Sequence, residues 1–192
     1  MTAIDALIAT GQSQKASAYL AKFSKLVRQV LQLSEKQLIS LEDEINTLKL
    51  YLQLEQLRMQ DSFDFSFKIG EGLEEQVEIP PMLLQPFVEN AIIHGLKASM
   101  KDKKLIRISC EKVGNKVFFT IEDNGVGRKT ADINKSSIKH HTSMGIKLTG
   151  DRLKMMEKVL PIKTNYFYTD LFDEKGTPAG TKVTIEITYQ NG

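Results

Sequence analysis

The chain is poor in anything that would fix its fold covalently. Cys110 is the single cysteine among 192 residues, so no internal disulfide can form and a reducing compartment is expected. No stretch approaches the roughly 18 apolar residues of a membrane span, and the start lacks the pattern of a secretory signal. The residues as given read as soluble, and they also suit the soluble end of a longer membrane protein. Excess charge of one sign is missing too. The formal net charge is +2, which creates no demand for nucleic acid, and the basic run Lys97, Lys101, Lys103, Lys104, Arg107 reads as a solvated loop. Repeats and low-complexity tracts are absent. What is there is an ordinary composition, 41% apolar and 26% charged. A chain of this length makes one or two domains and buries roughly 70% of the surface its unfolded form exposes.

Apolar spacing organises the first third. Tyr19, Phe23, Leu26, Val30 and Leu33 step by four and three, which predicts a helix over residues 13–33 with one apolar seam. A polar break at 34–40 follows. The same spacing then returns in Leu41, Ile45, Leu48 and Leu52, widened by Leu50, Leu54 and Leu57. Two such helices form a hairpin with more apolar surface than they can hide from each other. A second copy pairing into a four-helix bundle would cover it, and so would the chain's own following domain.

From Phe63 the period changes to two. Phe63, Phe65, Phe67 and Ile69 alternate with polar residues, as do Ile106, Ile108, Cys110, then Val117, Phe119, Ile121, and finally Val183, Ile185, Ile187, Tyr189. "TNYFYTD" at 164–170 is a further strand candidate, and "VGNKV" reads as a hairpin turn. Helices are predicted at about 82–96 and 146–159 by the same periodicity. The expectation is an α+β protein: a helical hairpin over 1–61, then a two-layer α/β sandwich over 62–192.

Four stretches carry candidate chemistry. In "IPPMLLQPFVENAIIHG", residues 79–95, Pro86 is harmless only in a first helical turn, which predicts a start near Met82 or Leu83, with Gly95 as terminator. Asn90 and His94 lie one turn apart beside an apolar face. Either neighbours satisfy them or they edge a polar cavity, since an unpartnered buried amide costs about 1–3 kcal/mol. "IEDNGVG" puts Asp123, Gly125 and Gly127 at a strand end, where a carboxylate can accept from an amino group and glycines admit a ligand closely; a plain turn has the same letters. "IKHHTSMGIKLTGDRL" is an aperiodic stretch running through Gly145 into a helix, which suits a phosphate. His140 and His141 read as solvated loop residues there. "GTPAGTKVTIEI" places Gly180 and Thr181 at the entrance to the last strand, as a site or as a turn.

In this order the four stretches resemble the ATP-binding (Bergerat) fold of the GHKL superfamily, which includes gyrase, MutL and histidine kinases. "IPPMLLQPFVENAIIHG" and the upstream "ISLEDEINTLKLYLQLEQLRMQDSF" are similar to the signatures of LytS/YehU-type sensor histidine kinases, a resemblance running from about residue 15 to the end. It implies ATP and Mg²⁺ as cofactors, with Asn90 as the metal ligand and His94 near a phosphate. Asp123 would read the adenine amino group, Gly125 and Gly127 would make room beside it, and Gly145 and Leu148 would close over the nucleotide. Thr181 would support the adenine end, while Lys97, Arg128 and Lys147 would help neutralise phosphates. The implied partners are a second copy of the chain and a response regulator of LytTR type, and the implied setting is the cytoplasmic end of a bacterial membrane sensor.

The sequence departs from that pattern in three places. Superfamily ATPases carry an acid four residues before the metal-binding Asn, where this chain has Pro86. Glu89 lies about 100° around the helix from Asn90 and is a poor substitute, so strong hydrolysis is not expected. "TSMGIKL" has one glycine where many relatives have a Gly-x-Gly pair. The phosphoacceptor motif, Pro-His-Phe-aliphatic-Phe-Asn, is missing, and no histidine precedes His94. The chain therefore reads as starting just after that histidine and as unable to phosphorylate itself. Two other functions fit the same letters: a nucleotide-sensing dimer without catalysis, and a serine kinase of the anti-sigma type, which shares Asn-Ala-Ile-Ile-His-Gly but lacks the long hairpin.

Overall fold

Ser40 caps the well-buried helix Leu41–Arg58. Its Oγ accepts the N–H of Asp43 at 3.1 Å, and Glu42, Asp43 and Glu44 follow in the first turn, where the helix dipole favours negative charge. In this computed structural model, which describes residues 3–60, 62–73, 77–128, 150, 153–154, 157–158 and 160–190, the elements run in the order α1 (Ala3–Ala9), α2 (Ser13–Ser34), β1 (Ile39–Ser40), α3 (Leu41–Arg58), β2 (Phe63–Ile69), β3 (Glu78–Ile79), α4 (Gln85–Asn90), a π-helical continuation (Ala91–Leu96), β4 (Lys104–Val113), β5 (Lys116–Asp123), β6 (Ile162–Phe172) and β7 (Pro178–Tyr189). The expected lid and most of the helix expected at 146–159 lie outside the described residues. Among the described residues no helix is long and apolar enough to cross a membrane.

The chain divides into two compact units, Met1–Phe63 with Glu75–Leu83, and Asp64–Glu74 with Leu84–Gly192. In the first, Leu41, Ile45, Leu48 and Leu52 form the buried seam that their spacing predicted. β1 pairs antiparallel with β3 (Ile39 opposite Ile79), and the N–H of Leu41 donates to Val77 O at 2.8 Å. Glu44, only 2% exposed, accepts the N–H of Met82 at 2.8 Å. Met82 has φ +56°, a left-handed conformation that no helix continues through. For that reason the helix expected from Met82 or Leu83 begins instead at Gln85, and Pro86 falls at its second position, where no N–H is needed.

On α2 the expected seam is only partly right. Ala16 and Leu33 are buried and Tyr19, Leu26 and Val30 half-buried, while Phe23 is 48% exposed. Phe23 belongs to a second stripe with Leu20, Val27 and Leu31, spaced by three and four and open to solvent. The reason is angular: apolar residues occupy more of the circumference than one neighbouring helix covers.

In the second unit a five-stranded sheet has the order β2-β4-β5-β7-β6, with β4–β5, β5–β7 and β7–β6 antiparallel. Alternation sorts its faces. Ile106, Ile108, Val117, Phe119, Ile121, Val183, Ile185 and Ile187 are buried on one side, which α4 and the π segment cover with Phe87, Val88, Ile92 and Leu96. The other side is polar, with ion pairs Arg107–Glu122 at 2.9 Å and Lys116–Glu186 at 2.6 Å. Gly114, at φ +61°, makes the two-residue turn between β4 and β5. The architecture is the expected two-layer sandwich.

Candidate functional site

Asp123 is the last residue of β5, opposite Thr181 of β7 in register, and it is 4% exposed. Its Oδ1 accepts the N–H of Gly125 at 2.8 Å. Burial pushes its carboxyl up to about 6, held back by hydrogen bonds from the backbone of Gly125 and Thr181 and by the charge of Lys101, with Glu122 adding to the rise. A carboxylate held this dry is ready for a neutral hydrogen-bond donor such as an exocyclic amino group.

Glycine makes the surroundings. A Cβ on Gly95 would stand 2.5 Å from Asp123 Oδ1, one on Gly125 would stand 2.2 Å from the Gly95 carbonyl carbon, and one on Gly180 would stand 2.0 Å from Asp123 O. None of the three positions has room for a side chain. Gly95 was expected to end the helix. Instead the π segment runs on through it, with Lys97 N–H reaching back five residues to Ile92 O at 2.9 Å, and Gly95 O accepts Val126 N–H at 3.2 Å. The element bearing Asn90 and His94 is thereby fastened, backbone to backbone, onto the Asp123–Gly127 loop.

The sequence-derived residues fall into place unequally. Asn90 closes α4, and Asn90 and His94 are both half-buried. Gly127, at φ +74°, needs the left-handed region that glycine enters freely. Thr181 is half-buried beside Asp123, and Lys97 is exposed. Glu89 accepts from Gln85 Nε2 at 2.9 Å. Arg128 is engaged along β6: its Nε donates to Asp170 Oδ1 at 2.7 Å and its guanidinium lies 5.0 Å from the Tyr168 ring centroid. Gly145, Leu148 and Lys147 lie outside the described residues. Sequence reasoning missed the packing role of Gly95 and the hydrogen bonds of Lys101. The first was signalled only by a glycine inside an otherwise apolar helical run.

These groups fit a nucleotide. The dry carboxylate could accept from an amino-bearing purine, and Asn90 offers an oxygen of the kind Mg²⁺ accepts. Mg²⁺ needs few protein ligands because it keeps waters and binds phosphates. Among the described residues there is no cluster of three or more His, Cys, Asp or Glu able to hold a metal.

Residues 1–63 match the family described as Histidine kinase. The sensor protein LytS of Staphylococcus saprophyticus subsp. saprophyticus is 31% identical over 182 residues, covering 93% of this chain and 29% of that protein. Among solved structures, the histidine kinase domain of the blue-light activated histidine kinase from Erythrobacter litoralis EL346 has a TM-score of 0.55 at 15% identity, covering 94% of this chain and 82% of that one. Histidine kinase ThkA, solved in complex with the response regulator protein TrrA, gives 0.52 at 15% identity over 91% of this chain and 49% of that one. The fold is that of a histidine kinase domain. Over most of its length the sequence is similar to those of LytS sensor proteins. The chain spans less than a third of the LytS relative's length.

Proposed function

We propose that residues 62–192 bind ATP with Mg²⁺ as the catalytic domain of a two-component sensor histidine kinase, and that residues 1–61 form its dimerisation hairpin. The observation that carries this reading is the Asp123 carboxylate buried among Gly95, Gly125 and Gly180 on the same backbone that presents Asn90. ATP supplies the γ-phosphoryl group, destined for a histidine and then for an aspartate of a response regulator. The chain's own part is positioning and charge neutralisation. Asp123 accepts the adenine amino group and thereby orients the purine. Thr181, across the ladder, supports that end, and Gly125 and Gly127 let backbone come close. Asn90 holds the metal, His94 and Lys97 face the phosphates, and Gly145 and Leu148 close over the nucleotide.

The exposed stripe Leu20, Phe23, Val27, Leu31 supports a homodimer through α2. The ThkA complex supports a response regulator as the partner, and the LytS likeness supports a place in a longer sensor; the regulator's LytTR type and the sensor's position at the cytoplasmic face of a bacterial membrane belong to the same proposal. A second reading, a nucleotide-sensing dimer without catalysis, draws on one observation: no histidine precedes His94. Calorimetric titration with Mg²⁺·ATP tests the site. Asn90→Ala is expected to abolish Mg²⁺-dependent binding while circular dichroism stays unchanged, and undiminished affinity in that variant refutes the assignment. Acid-labile phosphate on a chain extended upstream to a histidine-bearing segment separates kinase from sensor.

A further inference from the structure

Two carbonyl groups beside Asp123 are left out of the sheet. The β5–β7 ladder ends at Asp123 opposite Thr181, so the carbonyl of Asn124 lies one residue beyond it. On the other side β7 carries an irregularity: Leu171 pairs with Gly180 and Phe172 with Pro178, so Ala179 is skipped. A bulge leaves such a residue without a ladder partner and re-aims the chain. Both carbonyls turn to one ammonium. Lys101 Nζ donates to Asn124 O at 2.7 Å and to Ala179 O at 2.9 Å. The two acceptors flank the site residues directly, Asn124 following Asp123 and Ala179 preceding Gly180.

The loop that delivers Lys101 is itself fixed to the same place. Asn124 Oδ1 accepts Leu105 N–H at 2.8 Å, and its Nδ2 donates to Lys103 O at 2.8 Å. The N–H of Lys101 donates to Oγ of the buried Ser99 at 3.3 Å. Residues 99–105 are thus stitched to Asn124 by side-chain and backbone bonds, with the lysine side chain closing the last gap to β7. A solvated lysine needs none of this. An ammonium tied to two carbonyls gives charge-assisted bonds stronger than neutral ones.

We infer that Lys101 is a positioning residue for purine recognition: it ties the exit of β5 to the bulged entry of β7 and so holds the Asp123 carboxylate toward adenine. The inference rests on the nucleotide reading above for its purpose, and on the bulge and the two carbonyls for its geometry. Its electrostatic consequence has a definite sign. Of the charged groups acting on Asp123, Lys101 favours the ionised form and Glu122 opposes it. Removing the ammonium therefore raises the carboxyl further, and a protonated Asp123 offers an O–H where adenine needs an acceptor.

The test uses Lys101→Met and Lys101→Arg in the full chain, with two readouts. The first is the ¹³C titration of the Asp123 carboxyl in nucleotide-free protein. The second is the affinity for Mg²⁺·ATP against Mg²⁺·GTP at pH 7.5. Lys101→Met is expected to move the Asp123 midpoint upward, to weaken ATP by roughly tenfold, a change of about one decade in Kd, and to narrow the ATP-to-GTP ratio. Lys101→Arg is expected to restore both, and the unfolding midpoint of each variant is recorded beside them, so that a general loss of stability is told apart from a loss of positioning. A Met variant with the parent's Asp123 midpoint and the parent's nucleotide ratio overturns the inference. A parent that binds no ATP overturns the nucleotide reading instead, and the titration still decides whether Lys101 controls Asp123.

Discussion

A carboxylate 4% exposed to water does two opposite things to the protein. For folding it is a burden. Its carboxyl titrates near 6 in the folded chain against an ordinary 3.8, so between those values the folded state binds more proton than the unfolded one. The stabilising contribution is complete below pH 3.8 and is lost as pH rises through about 6, amounting to up to about 3 kcal/mol. Urea unfolding of the nucleotide-free chain at a series of pH values is expected to show this fall, and Asp123→Asn, which cannot ionise, is expected to remove it. For adenine the sign reverses, because only the ionised form accepts, so ATP affinity should rise over the pH range in which stability drops. Gly95 is the neighbouring test. Its missing Cβ is what lets Asp123 Oδ1 approach, and Gly95→Ala is expected to destabilise the sheet unit by about 1–3 kcal/mol and to weaken ATP binding. Both effects can be read by denaturation and calorimetry on the same sample.

At the scale of elements, α2 presents two apolar stripes, one toward α3 and one to solvent. Phe23→Ser with Leu31→Ser in a single variant is expected to lower self-association in sedimentation experiments while leaving the helical circular dichroism intact, because both residues are exposed. The start of α3 makes a smaller claim: Ser40→Ala removes the acceptor for Asp43 N–H and should cost about 1 kcal/mol. What could be read from the letters follows from what period carries. Alternation located β2, β4, β5 and β7, a run rich in aromatics located β6, and the four-and-three spacing located α2 and α3, because long half-buried elements repeat their signal. β1 and β3, two residues each, are too short to repeat anything. The left-handed Met82 is set by a carboxylate far away in sequence, Glu44, and the π segment by packing at Gly95, so neither boundary of the Asn90 helix was visible locally. Asp123 and its glycines drew attention as a strand end followed by Gly-x-Gly, which lets backbone approach closely, although a plain turn has the same letters. Lys101 was not, since nothing in a run of lysines says which one meets a bulge.

For the molecule as a whole, the chain should take up nucleotide without labelling itself. Incubation with γ-labelled ATP is expected to leave no stable phosphate on the protein, given that histidine first appears at His94; stable labelling would show that an acceptor had been overlooked. The two compact units also have a feature that matters to anyone who would separate them. The polypeptide passes between them at 63/64, again at 74/75 and again at 83/84. A scissor cut at residue 63 does not yield two independent halves. The downstream piece would carry Glu78–Ile79 away from the strand it zips to and Met82 away from the carboxylate that receives its N–H, while the upstream piece would keep Leu41 with its amide hydrogen unclaimed. A stand-alone reagent cut at residue 63 therefore splits the first compact unit between two polypeptides.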